Sequence, residues 1–265
     1  QLNFGRYLLA SQQERTEVAY HNLVAGKKAN TSVAYEQAFR YLKIGIELLD
    51  DNCWELHYDL SLGLYTEGVK AAYLRADFVE MDRLAETVLQ KADKLLDKML
   101  VYELKIETFQ AQNKMNEALQ LALQVLSDLG QSFPENPGYH HIMLALPKTV
   151  IRLIGKKDSD LSSLPEMTDP QTLATMRLLV SVTATAFMSR PNLVLLIVFR
   201  IVNLTLQHGN APESDYGFAG FGFVLSALGL LNGGYRFGQL ALSLEEKPEA
   251  KKSRAGALML VQSFI

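Results

Sequence analysis

The sequence predicts an all-α chain of antiparallel helix pairs stacked as a right-handed α-solenoid, with roughly 11–12 helices. Three observations carry this. Apolar residues recur at helical spacing and no segment sustains strand alternation. Two stretches, Arg75–Leu89 and Gln112–Leu126, align without gaps at an offset of 37. Short polar turns separate the periodic segments.

In each aligned stretch a polar turn (Arg75-Ala76-Asp77, Gln112-Asn113-Lys114) precedes an apolar residue and then a Glu two places on. Met81, Leu84, Ala85, Val88 and Leu89 follow in one copy; Ala118, Leu121, Ala122, Val125 and Leu126 follow in the other. With 3.6 residues per turn, such spacing draws one stripe along a helix, to be buried on a partner helix. Leu56, Leu60 and Leu64 mark the preceding helix of the first copy, and Val101, Leu104 and Ala111 that of the second. An earlier copy (Tyr35, Ala38, Tyr41, Leu42, Gly45, Ile46) lies 43 residues before the middle one, with Tyr20–Ala29 as its first helix. A late copy follows Asn232-Gly233-Gly234, read as a turn, and Ala255–Ile265 reads as the first helix of a further unit. These helix–turn–helix units are tetratricopeptide-like, although offsets of 37 and 43 exceed the usual period of about 34.

The chain divides into regular repeats over 1–131, a Pro-rich break, kinked helix and polar loop over 132–169, and further repeats over 170–265, truncated at the C-terminus. In the middle, Pro134 and Pro137 break the pattern, and Pro147 should kink the helix over Tyr139–Ile154. Gly155–Asp169 is polar apart from Leu161 and Leu164. Asp169-Pro170 is a helix start, the Asp side chain accepting from free N–H groups and Pro fitting the first turn. Leu193–Phe199 is short and apolar enough for a strand, but the pattern runs on to Leu206 and reads as helix. Tyr216–Tyr235 has no Asp, Glu, Lys or Arg and approaches bilayer-spanning length, but its many glycines suit a buried helix better. The tyrosines and phenylalanines Tyr20, Tyr35, Tyr41, Tyr58, Tyr65, Tyr73, Phe78 and Phe109 are expected to pack in the core.

Composition excludes several functions. The 26 basic and 29 acidic side chains give a net charge of −3 with interleaved signs, unlike the basic stripe of a nucleic-acid binder. Lys251, Lys252 and Arg254 lie beside Glu245, Glu246 and Glu249 and read as a solvated linker. The single cysteine, Cys53, permits no internal disulfide, suits a reducing cytoplasmic compartment, and reads as a packing residue. No secretory signal opens the sequence, and both ends read as cuts in a longer polypeptide. Phosphate-loop, zinc-helix, nucleophile-elbow and kinase signatures are absent. His140 and His141 are adjacent and should point apart on a helix, a poor metal pair. The expectation is therefore no catalytic, cofactor or metal site. One polar stripe stands out: Arg200, Asn203 and Gln207 share a face of an otherwise apolar helix, as the lining of a groove for a carboxylate or a peptide backbone or as a solvated face.

Four runs together resemble a known family. They are Ala19-Tyr20-His21-Asn22-Leu23; Leu164-Pro165-Glu166-Met167-Thr168-Asp169-Pro170; Phe199–Leu204 with His208-Gly209-Asn210-Ala211-Pro212; and Gly234–Leu242. They resemble the helical segment of the large multi-domain signalling kinases of cyanobacteria. In that family a serine/threonine kinase and an AAA-type ATPase precede the helices, and often a GAF domain and a histidine kinase follow. The resemblance implies a non-catalytic regulatory or docking segment, with no catalytic residue to carry over. Expected partners are a protein or peptide, or neighbouring domains of the parent chain, with no nucleic acid and no membrane; homo-oligomerisation stays open. The alternative is a small-molecule sensor with an inter-helix apolar pocket near Arg200.

Overall fold

The structure, a computed structural model, describes residues 2–245 and 261–262. Among these the chain is all-helical, with fourteen α-helices and no strand. Three of the fourteen are short, which accounts for the excess over the expected number. The chain forms two compact units, Gln1–Gln112 and Asn113–Ile265. The boundary falls inside the second aligned repeat. The basic cluster at Lys251, Lys252 and Arg254 lies outside the described residues, as does all of the predicted Ala255–Ile265 helix except Val261 and Gln262.

The first unit holds a 3-10 helix (Leu2–Leu8) and helices α1 (Gln12–Thr31), α2 (Tyr35–Glu47), α3 (Cys53–Leu56), α4 (Tyr58–Leu74), α5 (Phe78–Lys91) and α6 (Leu95–Ala111). Consecutive long helices pack in pairs, and α4 touches α1, α2, α5 and α6. Helix α1 starts earlier than its apolar pattern suggests. Ser11 accepts from the Glu14 N–H while the Glu14 carboxylate accepts from the Ser11 N–H, a reciprocal cap that satisfies two backbone donors at the helix start. The predicted stripes are buried: Ala38 and Leu42 on α2, and Met81, Leu84, Ala85 and Val88 on α5. Cys53 is buried too.

The aromatic residues behave differently. Tyr20 and Tyr41 are exposed, and Tyr35, Tyr58, Tyr65, Tyr73, Phe78 and Phe109 are only half-buried. Aliphatic side chains and Phe39 fill this core, Tyr65, Tyr73 and Phe78 pack against it from its edge, and a phenol keeps its hydroxyl near water or a partner. Tyr58 illustrates the second case: its hydroxyl donates to Asp97 at 2.8 Å and accepts from the Asp93 N–H at 3.0 Å, linking α4 to the start of α6. Leu56 is also exposed, because the chain turns at His57 (φ −136°, ψ 51°) and separates α3 from α4.

The repeat turns share a backbone signature. Among the described residues, Val33, Ala76 and Asn113 are the non-glycine residues with positive φ, at 61°, 58° and 58°. Their spacings are the 43 and 37 of the sequence repeats. In the first two turns the helix end closes the same way. Ala34 N–H donates to the Ala29 carbonyl and Val33 N–H to Asn30; Asp77 N–H donates to Ala72 and Ala76 N–H to Tyr73. This left-handed cap normally uses glycine. Gly130 and Gly229 provide it after later helices, with φ of 81° and 79°.

The second unit holds α7 (Met115–Asp128), α8 (Tyr139–Leu153), α9 (Asp158–Ser162), α10 (Pro170–Ser181), α11 (Thr183–Ser189), α12 (Pro191–His208), α13 (Ser214–Ala227) and α14 (Leu231–Glu245). Asp169 caps α10 as expected, accepting from the Thr172 N–H at 2.8 Å and from its hydroxyl at 2.5 Å. Those bonds, the hydroxyl's first, hold the Asp169 carboxyl below its usual range. A depressed pKa means the cap is intact above the unfolded value and is lost as pH falls through the folded one. Helix α8 runs through Pro147 without ending. Helices α10 and α11 meet at a 42° bend.

Helix α12 is long and apolar enough to cross a membrane, yet half of it is buried inside the protein. It packs against α8, α10, α11 and α13. The glycine-rich stretch is buried as expected, on α13. The turn after it, however, is at Leu228-Gly229-Leu230, and Asn232, Gly233 and Gly234 form the first turn of α14. The glycines there serve close approach instead. A Cβ on Gly217 would overlap Ile201, one on Gly220 would lie 2.7 Å from Val198, and one on Gly234 would overlap the Ser226 hydroxyl. The core they admit is aromatic: Phe237 lies 5.0 Å from Phe221 and 6.1 Å from Phe218, centroid to centroid.

Two predictions follow from backbone geometry. Val33→Gly should raise stability to urea by about 1 kcal/mol, because a β-branched residue pays most for the left-handed region. Conversely, Gly217→Ala and Gly220→Ala should each destabilise by ~1–3 kcal/mol, by overpacking against α12. Helix propensity alone gives the opposite sign. Urea melts of the three variants check both.

Candidate functional site

The three residues singled out on α12 meet in one cleft of the second unit. Arg200, Asn203 and Gln207 line a cavity of about 500 Å³ with α8 and the segment Gln131–Pro134. The i, i+3, i+7 spacing sets them on one face of α12, and α8 packs beside that face.

Arg200 is half-buried. Its guanidinium donates to the Gln131 side-chain oxygen and lies 5.2 Å from the centroid of the Phe133 ring. Burial pushes its pKa down from the ordinary arginine value. Asn203 ties the two helices together. Its amide nitrogen donates to the Thr149 hydroxyl and to the Phe199 carbonyl, both at 2.7 Å, and its oxygen accepts from Arg152 at 2.9 Å. Thr149 is fully buried, and its hydroxyl donates to the Ala145 carbonyl at 3.2 Å. With its oxygen facing Arg152, the Gln207 amide accepts from both terminal nitrogens, at 3.1 and 3.2 Å.

The residues of α8 were not visible as part of this site in the sequence. Arg152 and Lys148 line it opposite α12, with Leu144, Ala145 and His141. Lys148 and Arg152 are four apart, so they share a helix face; that spacing was the available signal. His140 and His141 do not point apart. Their rings are 3.9 Å from centroid to centroid, because His141 turns back to accept from the Gly138 N–H at 3.1 Å. Among the described residues no group of three or more His, Cys, Asp or Glu side chains could hold a metal ion.

Three of the four runs that carry the family resemblance make structural ties. Asn210 is buried, and its side-chain nitrogen donates to the Leu161 carbonyl at 3.0 Å. Its backbone donates to Pro165 and accepts from Met167, both at 2.7 Å. Gly209 has φ of 100°, and any Cβ there would overlap the Pro165 carbonyl. Arg236 donates to Asp158 at 2.6 Å and to the Lys156 carbonyl at 2.7 Å. Thus the second, third and fourth runs fasten the polar segment 155–169 onto α12 and α14.

Loss of the α8–α12 tie should be measurable. Asn203→Leu is expected to destabilise the chain by ~1–3 kcal/mol, because the buried Thr149 hydroxyl and Arg152 lose a partner. Adding Thr149→Val should recover part of the loss in urea denaturation, since both ends of the bond are then gone.

No family model matches the chain, and no solved structure matches it. It is similar to hybrid signal transduction histidine kinase G of Dictyostelium discoideum, 26% identical over 291 residues. The alignment takes in 99% of this chain and 8% of that kinase, so the chain spans less than a tenth of the relative's length. This similarity supports a signalling-kinase context for an all-α segment.

Proposed function

We propose that the chain is a non-catalytic interaction and regulatory segment of a larger cytoplasmic signal-transduction protein. In this reading the helix pairs stack as a tetratricopeptide-like solenoid, and the parent carries serine/threonine kinase, AAA-type ATPase and histidine kinase activities in other domains. Partners are another protein or the parent's neighbouring domains. The segment itself needs no cofactor.

The observation that carries the reading is helix α8. Its inner side, with Ile142, Ala145 and Leu146, packs on the core of the second unit. Beside that side, Tyr139, Met143 and Ile151, with Ile154 just past the helix end, are all more than 60% exposed. A helix whose apolar stripe runs on beyond its packed face is built to be covered further. An uncovered stripe of large apolar side chains marks an interaction surface. The left-handed turns at matching repeat positions support the stacked helix pairs.

A second reading, small-molecule sensing, is favoured by the cleft beside Arg200, whose volume suits a small ligand.

Docking through α8 predicts a separation of effects. Met143→Glu with Ile151→Glu should leave the melting temperature of the chain unchanged or raised, since both side chains are exposed. In the full-length parent the same pair should change autophosphorylation about 5-fold or more, the usual reach of an allosteric coupling. Unaltered autophosphorylation in a well-folded parent would remove the docking role of α8. Phosphoryl transfer from ATP by the purified chain alone would overturn the non-catalytic assignment.

A further inference from the structure

The cleft has a one-sided charge. Lys148, Arg152 and Arg200 line it, together with His141 and His208, and none of its lining residues is Asp or Glu. The chain as a whole is slightly acidic, so this clustering does not follow from composition.

The partners of the two arginines sharpen the point. Arg152 is held by the amide oxygens of Asn203 and Gln207, and Arg200 by that of Gln131. The ion pairs Arg75–Glu36, Arg75–Asp77, Arg83–Glu80, Lys105–Asp82 and Arg236–Asp158 involve none of these cations. Neutral amides fix the direction of a guanidinium without neutralising it. Two oriented guanidinium groups and an ammonium therefore face one cavity with their charge uncompensated. Guanidinium forks match the oxygens of carboxylates and phosphates, and the half-burial of Arg200 strengthens its attraction. Phe133, Leu144, Leu196 and Leu204 add apolar surface to the lining.

We propose that this cleft binds a small organic oxyanion, a carboxylate or a phosphate ester with a compact apolar body, gripped by Arg152 and Arg200. The assignment rests on the small-ligand reading of the cleft and is independent of docking through α8. Arg200 lies over Phe133 and next to Gln131, so an anion that recruits this guanidinium also acts on the segment joining α7 to α8.

The test is calorimetric titration of the intact chain with phenyl phosphate, phenylacetate and neutral 2-phenylethanol. At least one anion should bind about tenfold or more tightly than the alcohol and weaken as salt is raised. The tighter of the two anions identifies the ligand as phosphate or carboxylate. Arg200→Gln and the exposed Arg152→Gln should each weaken it about tenfold; the alcohol's affinity is the control that the variants keep the cleft. Equal binding of alcohol and anions would overturn the oxyanion assignment and leave the small-ligand reading standing. Binding of none of the three would overturn both.

Discussion

Helix α12 has almost no side that can face water. Leu196, Ile197, Val198 and Phe199 are consecutive and all buried, and four successive residues point nearly all the way round a helix. Such a segment must be enclosed, and in the second unit it is enclosed by α8, α10, α11 and α13. The other features of the unit answer that requirement. Glycines on α13 let its backbone come close. The clasp of Gly209 and Asn210 ends the helix and draws the polar segment 155–169 over it. Arg236 holds the other end of that segment.

The cleft is where enclosure is incomplete. Arg200, Asn203 and Gln207 form the polar stripe of a helix otherwise largely committed to the interior, and α8 meets them with Arg152 and Lys148 across the gap. Asn203 does two jobs there. It joins the two helices through Thr149, and it aims Arg152 through its oxygen. A hydrophobic residue at 203 would pack as well but could do neither. The cleft's geometry is thus set by a hydrogen bond at its floor.

Much of this was legible in the sequence, and the gaps have physical causes. Spacing located the buried stripes of α2, α5 and α7 and the polar face of α12, and the Asp169-Pro170 pair located the start of α10. It missed the Ser11–Glu14 cap, whose S-x-x-E pattern was present, because the apolar pattern begins well inside that helix. It placed the last turn four residues late, since the Asn232-Gly233-Gly234 run has turn composition but is used for close packing. The tyrosines were assigned to the core on size, without weighing the hydroxyl. The α8 side of the cleft was hidden because a site shared by two helices has no spacing in sequence. The resemblance pointed to residues that turned out to hold the segment 155–169, so such motifs can record architecture rather than chemistry.

The turns at Val33 and Ala76 set a limit on modularity. Neither residue favours the conformation it holds, so local sequence does not write these corners; the helices on either side do, by packing. A helix pair cut out as a peptide would lose the force that keeps its corner left-handed. The conformation of each corner is therefore held by contacts beyond the corner itself, and the helix pair, though the unit of the sequence pattern, is not self-sufficient in geometry.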